Sequence, residues 1–120
     1  MDSIHFEINR LNFENILWFI FIVLSILNII GDNYEKKYVS FNDYYYKVEA
    51  NKIFEFTLIV TFFIYLYFLY RNYNSMNNVS NDMKEFYEIK FLGSLFLIIG
   101  ILCLIYFQEK QTSFVGSPAL

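Results

Sequence analysis

The chain has 120 residues, of which 57% are hydrophobic and 22% aromatic, while only 18% are charged. Soluble domains carry roughly 45–50% apolar and about 25% charged residues, so the balance argues against a soluble domain, and the length leaves room for one domain. A formal net charge of -3 offers no electrostatic footprint for nucleic acid, and a single cysteine, Cys103, rules out an internal disulfide or a CxxC metal site.

Three apolar runs set the class. The first covers residues 16–30, interrupted by Ser25 and Asn28, and extends back to Phe13 if Glu14 and Asn15 are included. The second, 53–70, contains one acid, Glu55, and the third, 91–107, contains no charge. At about 1.5 Å per residue, 17 to 18 helical residues cover roughly 26 Å, just under a hydrocarbon core of about 30 Å. Residues 95–107 show no polar stripe of the kind a soluble bundle helix needs. In hydrocarbon a lone segment must satisfy its own backbone, which makes each run a helix. The expected fold is therefore an all-α membrane protein forming one domain over 1–120, with transmembrane helices at about 13–30, 53–70 and 90–107.

The N-terminal flank is acidic, with Asp2, Glu7 and Glu14 against Arg10, and no small-residue cleavage site follows the first run. It reads as a retained helix rather than a secretory leader. Gly31-Asp32-Asn33 reads as that helix's exit. Beyond it, Tyr34, Tyr38, Phe41, Tyr45 and Val48 recur at steps of four and three, which predicts an amphipathic helix within 34–50 lying in the interface, its aromatic stripe at headgroup depth. The Asn-rich segment 72–81 reads as a polar turn, and Asp82 with Glu85 as a capping box opening the third helix near Met83. The tail 108–120 is short and polar, with disorder expected and Phe114 and Val115 as its anchoring points.

With three crossings, Arg10, Arg71, Lys84 and Lys90 lie on one side and Lys36, Lys37, Lys47, Lys52 and Lys110 on the other. The counts are nearly even, so the acidic N-terminal flank decides the reading of N-out and C-in. Few polar residues enter the spans. Glu55 stands as a candidate intramembrane or interfacial ionisable site, with Lys52 one turn away as its expected partner. Ser25 and Asn28 share a helix face, and Gly93 and Gly100 lie a heptad apart, which makes these four the candidate helix-packing residues. Ser25, Asn28, Glu55, Thr57 and Cys103 should share one leaflet, although Glu55 and Thr57 point apart.

Catalysis has no visible equipment. His5 is the one histidine, and no phosphate-binding loop, zinc-protease, nucleophile-elbow or calcium-loop pattern occurs. No enzyme activity, metal or cofactor is expected. The segments Leu11-Asn12-Phe13-Glu14-Asn15-Ile16-Leu17-Trp18, Gly31-Asp32-Asn33, Tyr70-Arg71-Asn72-Tyr73 and Lys90-Phe91-Leu92-Gly93-Ser94, with the 113–120 ending, resemble small uncharacterised membrane proteins of low-GC Gram-positive bacteria. The resemblance implies a bacterial membrane location and no activity. The bilayer, self-association or a membrane partner protein are the expected contacts. A structural or accessory subunit of a complex or homo-oligomer is the leading functional expectation. The alternatives are a holin-like pore former, a bacteriocin-immunity protein and a proton-coupled transporter component using Glu55.

Overall fold

The structure is a computed structural model that describes residues 2–111 and 113–119. It is all-helical: α1 spans Asp2–Phe41, α2 spans Tyr44–Asn77 and α3 spans Lys84–Lys110. Each is long and apolar enough to cross a membrane. α2 lies in the middle, packed on α1 along one side and on α3 along the other, and α1 and α3 do not pack against each other. The result is a flat layer, 59 × 26 × 15 Å.

The α1–α2 seam follows from residue spacing. On α1, Glu14, Leu17, Phe21, Leu24, Asn28, Gly31 and Glu35 recur at alternating three- and four-residue steps, and all are buried or half-buried. On α2, Ala50, Phe54, Thr57, Thr61, Ile64, Phe68 and Arg71 repeat the same rhythm. That is the heptad signature of helices packing at a shallow angle. Three pairs fix an antiparallel register: Glu14 with Arg71, Asn28 with Thr57, and Gly31 against the Phe54 ring. Asn28 is two heptads after Glu14, and Thr57 is two heptads before Arg71. On α3 the buried residues are Ser94, Ile101 and Gln108, at single-heptad steps.

No separate interfacial helix exists between the first two spans. Gly31-Asp32-Asn33 does not end α1, which continues to Phe41, and α2 begins at Tyr44. Tyr34, Tyr38 and Phe41 do share a helical face, but Tyr34 stacks on Tyr46 at 6.0 Å and Tyr38 meets Tyr44 edge-on at 6.2 Å. The aromatic stripe zips two helix ends together instead of lying on lipid, while Phe41 and Tyr45 stay exposed at the tip. The reversal takes two residues. Asn42 adopts φ 53°, a left-handed conformation that Asn tolerates, and its N–H donates to the Tyr38 carbonyl at 2.8 Å. Asp43 then caps α2, its side chain accepting from the Tyr45 N–H at 3.1 Å.

Two other boundaries differ from expectation. α2 runs on to Asn77, so Asn72 is a buried helical residue and not part of a turn. α3 starts at Lys84 after Met83, which makes no side-chain cap; the expected Asp82–Glu85 box is absent, and backbone bonds from Met83 to Ser80 and Lys84 to Asn81 shape the turn. The described tail residues fold back on the helices. Phe114 packs edge-on to Phe107 at 5.3 Å, Gly116 turns the backbone at φ 110°, and Pro118 is buried.

Gly31 carries the tightest approach of the seam. A Cβ there would sit 2.5 Å from Phe54 Cε1, and Phe54 is 1% exposed, so its ring has no free space to move into. Overpacking a filled site costs about 1–3 kcal/mol. Gly31→Ala is expected to lower the unfolding free energy in mixed micelles by that amount, and Phe54→Leu in the same chain to recover part of it. Equal stability of Gly31→Ala and the parent would refute this packing.

Candidate functional site

Buried charge gathers at the two ends of the α1–α2 seam. At the end carrying the N-terminus, Arg71 Nη1 donates to Glu14 Oε1 at 3.0 Å, and the Tyr67 hydroxyl donates to Glu14 Oε2 at 3.0 Å. Arg10 approaches Glu14 Oε2 at 3.6 Å and donates to Glu7 at 2.8 Å. Arg71 also donates through Nε and Nη2 to Asn72 Oδ1, at 3.1 and 2.9 Å. The Asn72 amide passes the network to Ser94 Oγ, whose hydroxyl donates to the Lys90 carbonyl at 3.2 Å. One connected set of polar groups therefore ties α1 to α2 and α2 to α3.

At the opposite end, Lys47 Nζ donates to Glu35 Oε1 at 2.7 Å and also to the Phe114 carbonyl of the tail. Lys47 is 1% exposed and Glu35 2%. The tail thus seals the pair from above. Glu14 and Glu35 lie about 31 Å apart along α1 at about 1.5 Å per residue, close to the roughly 30 Å thickness of a hydrocarbon core. The two ion pairs bracket a band whose one α1–α2 side-chain hydrogen bond among the described residues is Thr57 Oγ1 donating to Asn28 Oδ1 at 3.0 Å.

Because α1 and α3 stay apart, a crevice runs between them over α2. Its deeper part, about 330 Å³, is lined by Asn28, Thr57, Thr61 and apolar residues of all three helices, with Ala119 of the tail at its edge. A second stretch of about 470 Å³ is walled by Trp18, Phe21, Phe68 and Leu97 and reaches Arg71. Arg71 also lines a wider cleft of about 1010 Å³ at the N-terminal end, where Arg10, Arg71 and Lys90 stand among aromatic rings.

The expected packing residues divide. Asn28 bridges to Thr57 as an interhelical bond. Ser25 is exposed and donates to its own helix at Phe21. Gly93 and Gly100 are not points of close approach, since a Cβ at either would meet nothing within 4 Å. The glycine that admits a neighbour is Gly31. Glu55 is exposed and does not pair with Lys52, which instead meets Glu49 at 3.4 Å. Cys103 is exposed on α3. Lys47, Glu35, Glu14 and Arg71 were missed as partners; the available signal was their placement at the a/d-type positions of both heptad series. Compared with protein-family models, curated proteins and solved structures, the chain matches none.

Removing one member of a buried pair leaves an uncompensated charge, which costs about 3–5 kcal/mol, whereas replacing both with apolar groups is often neutral. Glu35→Leu and Lys47→Met are each expected to destabilise by about that amount in micelle unfolding, and the double variant to return most of it. Additive losses in the double variant would show that the two residues do not act as a pair.

Proposed function

We propose that the chain is a structural or accessory subunit of a membrane complex or homo-oligomer, without catalytic activity, set in a bacterial cell membrane with its N-terminus outside and its C-terminus inside. Glu55 carries this reading. It lies within the second apolar run yet is exposed, and among the described residues it has no ion-pair or hydrogen-bond partner. A carboxylate facing lipid is costly, and such groups ordinarily find a donor or a water-filled surface. A donor from a neighbouring chain would meet that need.

Cys103, the single thiol, gives a probe on the outer face of α3. Thiol cross-linking in native membranes is expected to capture a covalent dimer or a heteromeric adduct, and Glu55→Leu to reduce the captured fraction about tenfold if the missing donor is worth roughly 1.4 kcal/mol. Capture of monomer alone with both thiol- and amine-reactive reagents, or capture unchanged by Glu55→Leu, would overturn the proposal.

A further inference from the structure

The wide cleft at the N-terminal end brings together three cations from three helices: Arg10 of α1, Arg71 of α2 and Lys90 of α3. Glu7 is the one acid on its wall, and it is already bonded to Arg10. Glu14 lies behind the wall, its oxygens occupied by Arg71 and Tyr67. Donor capacity remains on every cation. Arg10 directs one N–H to Glu7 and faces Glu14 at 3.6 Å, which leaves further Nη N–H groups of its guanidinium without a hydrogen bond among the described residues. Lys90 has no ion pair or side-chain hydrogen bond there, and it lies within electrostatic reach of Arg71 and Arg10 as well as of Glu14. Arg71 directs three N–H groups to Glu14 and Asn72, out of the five a guanidinium carries. Converging donors and surplus positive charge suit a group with several anionic oxygens.

Depth and shape name the source. Arg71 directly follows the second apolar run and Lys90 directly precedes the third, so the cations stand at the rim of the hydrocarbon band. Phe13, Tyr67 and Tyr87 line the same cleft, as aromatic residues do at headgroup level. From Arg71 the apolar crevice leads inward past Phe68, Phe21 and Trp18. A free phosphate has no use for that crevice, whereas an acyl chain fills it. We infer that the cleft and crevice together bind one anionic phospholipid, with its phosphate among Arg10, Arg71 and Lys90 and one acyl chain between α1 and α3. Basic pockets between transmembrane helices bind anionic headgroups for the same reason. The inference is independent of Glu55 and of the oligomeric state.

Trp18, the single tryptophan, lies on the crevice wall and reports directly on a chain lodged there. The full chain in phosphatidylcholine bilayers would be titrated with phosphatidylglycerol brominated on its acyl chains, and in parallel with brominated phosphatidylcholine, while Trp18 quenching is read. Preferential quenching by the anionic lipid is expected. A cation near the membrane surface contributes about 1 kcal/mol, or roughly fivefold, so Arg10→Gln and Lys90→Gln should each lower the preference about fivefold. Lys84→Gln removes the same charge outside the cleft and should leave the preference unchanged, and circular dichroism checks that each variant stays helical. Three results would overturn the inference. They are equal quenching by the two lipids in the parent chain, an equal loss of preference in Lys84→Gln, and uptake of inorganic phosphate by the chain in pure phosphatidylcholine that Lys90→Gln abolishes. The first needs no variant to fold.

Discussion

The antiparallel register of α1 on α2 is the constraint from which the other features follow. Between helices in lipid, apolar side chains gain little by meeting each other instead of acyl chains, so packing and polar pairing have to select the arrangement. Here the selecting groups stand at both ends and near the middle: Glu14 with Arg71, Asn28 with Thr57, and Lys47 with Glu35. Sliding α2 by one turn would separate all of these together. Buried ion pairs are poor evidence of net stability, but they discriminate strongly between registers, because the wrong one leaves unpaired charge in a medium of low dielectric. The turn obeys the same register, with Asn42 and Asp43 supplying a left-handed residue and a cap at its midpoint.

Holding α1 and α3 on opposite sides of α2 has a structural consequence. Three helices that all touched would close a core; three in a row leave a crevice above the middle one. Its floor is polar at Thr57 and Thr61, its walls are largely apolar, Ala119 of the tail lines one stretch of it, and Arg71 lines both another stretch and the cationic cleft. The arrangement leaves an opening between α1 and α3 that a compact bundle would lack, and it leaves the outer faces of both helices uncovered.

Side chains at the rim of the hydrocarbon band do two kinds of work. Glu14 ties Arg71 and Tyr67 into the fold, while the Lys90 side chain makes no ion pair or hydrogen bond among the described residues and Arg10 directs one N–H to Glu7. Lys47 is the contrast: both its contacts, Glu35 and the Phe114 carbonyl, are internal, and its burial leaves it nothing to offer a ligand. The described part of the tail returns to the helices through Phe114, whose carbonyl accepts from that lysine and whose ring meets Phe107, contacts that a reading of its polarity could not reveal.

Three long apolar runs, with no polar stripe, were enough to establish an all-helical chain with three helices of crossing length, because hydrocarbon permits a lone backbone segment no other structure. The helical face of Tyr34, Tyr38 and Phe41 was legible too, from spacing alone. What faces that stripe was not: spacing says which residues share a side, and lipid and a second helix both accept aromatic rings. Gly93 and Gly100 carried the same small-residue signature as Gly31, yet only Gly31 lies opposite a ring, Phe54. Likewise Lys52 stood one turn from Glu55 in sequence and turned to Glu49 instead. The sequence by itself determined the helical class and the number of helices long and apolar enough to cross a membrane, which depend on summed hydropathy and length. Tertiary structure decided which charges are partners, which glycine is a contact and where cations are left with unused donors, because those depend on register, and register is a property of two helices together.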